Sequence, residues 1–204
     1  MEPVLVEFIS ESACLKGRFF PAVGIDNPPT LLFGPGWPAN PEDFLGLGPL
    51  LSQRGVNMME FYPRGLHQSE GTYTHSGAMQ DIASALQWIG QINIQKQFKV
   101  DATNVVLGGF SNGGGLALAY TAQDSRIRRV VSMAGNDFGE FARQLHHDPA
   151  FAENIHRWLL STRSPDGPAH FDPEIGEQDV TFIVYHTDHS FSNVRERLAA
   201  DIAE

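Results

Sequence analysis

One stretch constrains this chain more than any other. From Asn104 to Ala117 it reads Asn-Val-Val-Leu-Gly-Gly-Phe-Ser-Asn-Gly-Gly-Gly-Leu-Ala. An apolar run of strand type ends at Gly109-Phe110-Ser111-Asn112-Gly113 and passes into small, helix-compatible residues. The backbone must therefore change from strand to helix within a few residues, with Ser111 at the corner. A side chain at Gly109 or Gly113 would collide with the neighbouring strand or helix as the turn closes. Gly-x-Ser-x-Gly in this setting is the nucleophile elbow, a tight turn that lifts a serine hydroxyl above the sheet edge. The five-residue pattern alone arises by chance in many chains. Between a buried-strand run and a Gly/Ala-rich helix start it is much more specific.

The remaining elements place that corner. Residues 4–9 and 15–22 read as two strands around the polar turn Ser10-Glu11-Ser12, an antiparallel hairpin. Thr30-Leu31-Leu32-Phe33 suits a strand buried on both faces and ends in the rigid turn Gly34-Pro35-Gly36-Trp37-Pro38. Asn40-Pro41-Glu42-Asp43 predicts a helix start, with an N-cap, a proline at the first position and acids in the first turn. Phe44, Leu47 and Leu51 are its apolar stripe, and Gly55 closes it. A strand follows over 58–62, then a polar loop over 63–75. Ser76 opens a helix with Met79, Ile82, Leu86 and Ile89 at helical spacing. After the elbow strand, 105–109, and its helix to about 122, residues 129–134 form another buried-type strand. Phe141 and Leu145, then Phe151, Ile155 and Leu159, predict two short amphipathic helices within 138–178, a segment that reads equally as a lid or as a crossover. A last strand over 180–185 leads to a final helix carrying Val194, Leu198 and Ile202. Alternating strands and helices predict an α/β domain spanning 1–204, its sheet mostly parallel, with helices on both faces.

Composition enters as an exclusion. A formal net charge of -10 over 204 residues argues against a general binder of nucleic acid or anionic membrane. No stretch approaches the ~18 apolar residues of a membrane span. Cys14 is the only cysteine, so nothing demands an oxidising compartment, and the early Glu2 is unlike a signal peptide. A cytoplasmic protein is the expectation. Oligomeric state leaves no mark on the sequence.

A serine hydroxyl needs a base, and histidine usually supplies it. Reacting groups in open parallel sheets gather at the carboxyl ends of strands. His186 and His189 follow a strand at that end; His189 lies further out, where it can reach Ser111, and is the chosen base, with His186 the spare. His67, His75, His146, His147, His156 and His170 read as solvated loop or helix residues. His186-Thr187-Asp188-His189 is similar to part of the metal motif of the metallo-β-lactamase fold, but Val184 stands where its first histidine belongs. About three or four ligands would be needed, so no metal and no cofactor are expected. An oxyanion also needs donors. The backbone N–H of Asn112, at a helix N-terminus, is one. Trp37 offers the other, since Pro35 and Pro38 have no N–H.

These pieces together resemble the α/β-hydrolase-fold serine hydrolases of the esterase, dienelactone-hydrolase-like and prolyl-oligopeptidase-like group. The matching segments are Pro35-Gly36-Trp37, Tyr62-Pro63-Arg64-Gly65-Leu66-His67-Gln68-Ser69-Glu70-Gly71, the elbow, and Asp188-His189-Ser190-Phe191-Ser192. The resemblance covers nearly the whole chain and implies Ser111 as nucleophile and His189 as base. It also implies one more strand, bearing the triad acid, before the histidine strand. Here the chain is shortened near its C-terminus by ~30 residues, about one βα unit. Asp188 adjoins His189, and neighbouring side chains in an extended segment diverge. Glu174, Glu177 and Asp179 fall near the wrong end of the last strand, roughly 20 Å away at ~3.3 Å per residue. Asp137, at the correct edge, is the chosen acid; a turn-forming Asn136-Asp137 pair is the plainer alternative. The expectation is an esterase acting on a small molecule. An amide or peptide hydrolase on the same residues, or a catalytically impaired binding protein of the same fold, are the rivals.

Overall fold

A computed structural model describes residues 2–37, 46–161 and 202, the side chains of 158–161 excepted. The chain opens as expected with a hairpin, β1 (Val4–Ser10) and β2 (Ala13–Phe20), in antiparallel register from Val4↔Phe19 to Ser10↔Ala13. The two-residue turn holds Glu11 at φ 54°. Then come β3 (Thr30–Gly34), α1 (Leu47–Gln53), β4 (Asn57–Phe61), α2 (His75–Ile89), α3 (Ile92–Phe98), β5 (Val105–Phe110), α4 (Asn112–Gln123), β6 (Val130–Met133), α5 (Phe138–His147) and α6 (Pro149–Ser161).

The six strands form one sheet in the order β1-β2-β4-β3-β5-β6. β2 pairs with β4 antiparallel, and β4, β3, β5 and β6 run parallel. Every residue of β3 and of β4 is buried, the polar Thr30, Asn57 and Glu60 included, as expected of central strands in a sheet covered on both faces. Leu32 and Met59 point into one core with Ala78, Ile82 and Ala85 of α2 and Leu116 of α4. Leu31, Phe33 and Met58 point into the other, with Leu47 and Leu51 of α1 and with Ile202.

Right-handed crossovers explain which helix covers which face. The β3–α1–β4 connection moves one way across the sheet, whereas β4 to β5 and β5 to β6 move the other way. The direction reverses, so α1 lies on one face and α2 and α4 on the opposite one. β3 and β5 sit side by side where the chain departs in opposite directions, which is where ligands enter open α/β sheets, at the carboxyl ends of the strands.

The expected helix start at 40–43 lies outside the described residues; within them α1 begins at Leu47, after Gly46 at φ 67°. Gly55 does follow the helix in the left-handed region, at φ 80°. And α3, a seven-residue helix with no side-chain cap, fills a stretch to which no element was assigned. The two amphipathic helices of 138–161 are present, with Phe141 and Phe151 meeting edge-on at 5.5 Å. The last strand, the His186 to Ser192 loop and all but Ile202 of the last helix lie outside the described residues. Among the described residues no helix is long and apolar enough to cross a membrane.

Candidate active site

Glycine packing builds the corner at Ser111. Gly34 of β3 stands beside Gly109 of β5 in the parallel register. A Cβ on Gly113 would fall onto the carbonyl oxygens of Gly34 and Pro35, and one on Gly109 onto the backbone of Gly113. The start of α4 can therefore lie directly against two strand ends. Ser111 takes φ 53°, ψ −116°, a conformation that costs a non-glycine residue on the order of 1–3 kcal/mol. Backbone hydrogen bonds hold it there. Ser111 N–H donates to Met133 O at 2.8 Å, and Ser111 O accepts from Gly115 N at 3.1 Å and Asn136 N at 3.3 Å.

The loop after β3 closes over the corner. A Cβ on Gly36 would lie 3.2 Å from Ser111 Cβ and 3.1 Å from the Phe110 ring, a tight fit that a larger residue could meet only by shifting those side chains. Trp37 follows at once, its ring against Tyr73 with centroids 4.3 Å apart. Its indole Nε1 is buried with no hydrogen-bond partner. Asn112, the first residue of α4, is buried and donates its side-chain amide to Tyr73 Oη at 2.6 Å.

Of the residues singled out from the sequence, Ser111, Asn112 and the Gly36-Trp37 turn meet at this corner. Asn136 is bonded to the backbone of Ser111, which brings the Asp137 segment to the same edge. The Asp137 carboxylate is exposed and serves as the N-cap of α5, accepting from Glu140 N at 2.9 Å. His189 and His186 lie outside the described residues. His67, His146, His147 and His156 are exposed, as expected, whereas His75 is not. It is buried at the start of α2, edge-on to Phe138 of α5 at 4.9 Å, because the α5 chain packs over that end of the helix. Tyr73 was also missed; in sequence it is one aromatic in a polar loop, and its only local signal is the capping residue Thr74 beside it.

A cleft of about 450 Å³ opens at the opposite, amino-terminal edge of the strands, lined by Pro21, Asn57, Phe98 and Lys99 among others. Asn57 there is fully engaged with Ala22 N, Thr30 Oγ1 and Phe98 O, which leaves no reacting group facing the cleft from that residue. Among the described residues no cluster of three or more His, Cys, Asp or Glu side chains is arranged to hold a metal ion.

The fold, the glycine-packed corner and the strained serine describe one class of protein, and the comparisons agree. The family model for the α/β hydrolase fold matches residues 29–187, and the chain belongs to that family. An α/β serine hydrolase homologue from Coxiella burnetii superposes with a TM-score of 0.65 at 16% identity, over 100% of this chain and 97% of that one. GrgF, an α/β hydrolase from Penicillium sp. sh18, gives 0.59 at 22% identity, over 78% of this chain and 55% of its own. An esterase of Pyrococcus furiosus gives 0.59 at 20% identity, over 83% and 63%. At such identities the likeness is one of fold. The chain spans little more than half the length of GrgF and less than two thirds of the Pyrococcus esterase. Comparison with curated proteins gives no match.

Proposed function

We propose that the protein is a serine hydrolase that cleaves a small carboxylic ester through an acyl-enzyme. The observation that carries this reading is Ser111 itself, at φ 53° between β5 and α4, with the Gly36 backbone against its Cβ. Ser111 Oγ attacks the ester carbonyl while His189 takes its proton, and the oxyanion is held by the backbone N–H groups of Trp37 and Asn112. The C–O bond to the alcohol then breaks, and His189 returns the proton to the departing alkoxide. Water, deprotonated by His189, adds to the acyl carbon and releases the carboxylic acid and free Ser111. Asp137 is the acid that orients His189, supported by the bond that ties its neighbour Asn136 to Ser111 O. A reducing compartment such as the cytoplasm suits a chain whose only cysteine is Cys14.

A second reading has an observation of its own. Asp137 Oδ1 is engaged in capping α5, and its carboxylate is exposed, which suits an impaired relay and a binding role. The two differ in turnover. A fluorophosphonate probe followed by peptide mass spectrometry should place an adduct on Ser111, and Ser111→Ala should abolish hydrolysis of an activated ester. His189→Ala should reduce turnover by roughly 10⁶, and Asp137→Asn by roughly 10⁴ if Asp137 orients the imidazole. Absence of an adduct on Ser111, or full activity in Ser111→Ala, sinks the hydrolase reading. Short acyl esters compared with aminoacyl amides separate ester from amide preference.

A further inference from the structure

Tyr73 touches both residues whose N–H groups the proposed reaction uses. It lies in the loop after β4, one residue before Thr74, whose hydroxyl caps α2 by accepting from Gly77 N at 3.0 Å. The loop is held at three points. Arg64 donates from its backbone N–H and its guanidinium to the buried Asp81 of α2, at 2.7–3.2 Å, and reaches Glu11 and Ser10 of the hairpin. Gly65, at φ 74°, comes so near that a Cβ there would lie 2.5 Å from Tyr73 N. The Tyr73 ring is 7% exposed and packs on Trp37. Its hydroxyl, 2.6 Å from Asn112 Nδ2, ties the first residue of α4 to a loop 39 positions earlier. Burial pushes the phenol up to about 12, the Asn112 bond acting in the other direction, so the hydroxyl stays protonated through neutral pH.

Oxyanion donors act only if they are fixed before charge develops. We propose that Tyr73 is a positioning residue, setting the Asn112 backbone N–H through its side-chain amide and the Trp37 backbone through the ring packed against it at a tilt of 53°. The proposal rests on the serine-hydrolase reading above. Tyr73→Phe keeps the ring on Trp37 and removes only the hydroxyl that receives the Asn112 amide. Asn112→Ala removes the same bond from the other side and leaves the loop untouched.

The experiment uses the full chain, p-nitrophenyl acetate as substrate, and fluorophosphonate titration to count active serines. Tyr73→Phe should lower kcat per titrated serine by ~10-fold, with KM changed by no more than about twofold, and slow phosphonate labelling in parallel. In the Asn112→Ala background, Tyr73→Phe should have no further effect, because the shared bond is already gone. Wild-type kcat in Tyr73→Phe, a change confined to KM, or independent multiplying losses in the double variant would overturn the proposal. If Tyr73→Phe does not fold, Asn112→Ala decides: unchanged kcat and labelling rate also overturn it. A wild-type protein that neither labels nor turns over brings down the hydrolase reading instead, and this proposal with it.

Discussion

Ser111 holds a conformation that few side chains adopt, and its neighbours are chosen to make that possible. Its φ of 53° is sustained by hydrogen bonds to Met133, Gly115 and Asn136 rather than by its own preference. Gly113 is an exacting position, because a methyl group there meets two carbonyl oxygens, which cannot move without dragging β3 and its turn. Gly113→Ala should therefore destabilise the protein by about 1–3 kcal/mol. For a chain of this size that lowers Tm by roughly 2–4 °C per kcal/mol, measurable by calorimetry. Turnover per folded molecule should fall too, since α4 can no longer start against Gly34. Asp137 is a different case. Its Oδ1 caps α5 by accepting from Glu140 N, and a cap and a relay make competing demands on one carboxylate.

At the scale of elements, the loop between β4 and α2 behaves as a rigid part of the scaffold. Asp81 is 0% exposed and accepts three kinds of N–H from Arg64, which holds the Arg64 guanidinium above its ordinary range chiefly through the hydrogen bonds to Asp81. Removing one partner of such a pair leaves the other uncompensated. Arg64→Met should cost about 3 kcal/mol by urea denaturation, and amide exchange should quicken first at Tyr73 and Thr74. Helix α2 was legible from the sequence because Met79, Ile82, Leu86 and Ile89 recur at helical spacing over about three turns. Helix α3 was not. It is two turns long, lacks a side-chain cap and exposes Ile92, so its periodic signal rests on Ile94 and Phe98 alone.

Across the whole molecule, strand order brings together groups that are remote in sequence, and the buried Glu60 is one of them. It is 0% exposed in the middle of the sheet, paired with Arg18 of β2 at 2.6 Å, and its second oxygen, Oε1, has no partner. Burial pushes the carboxyl up to about 8, and the Arg18 guanidinium holds it back only in part. In the unfolded chain the same group titrates near 4.5. Between those values the folded protein keeps a proton that the unfolded chain has lost, so this contribution to stability is complete below pH 4.5 and is lost as pH rises towards about 8. Urea denaturation near pH ~5 and ~8 should show stability falling across the window by on the order of a few kcal/mol, and Glu60→Gln should flatten that slope. A slope unchanged in Glu60→Gln would place the titration elsewhere.

The sequence by itself determined what short-range sterics and periodicity control. The elbow, the hairpin, the buried runs of β3 and β5 and the long helices were readable, because each depends on residues within a few positions of one another. Only the tertiary structure decided that β2 pairs with β4 rather than β3, that Arg18 faces Glu60 across 42 positions, and that Tyr73 reaches Asn112. Those meetings follow from the hand and direction of the crossovers, which no local pattern records. The serine's corner is thus written in fourteen consecutive residues, while the groups that hold its surroundings in place come together only when the sheet closes.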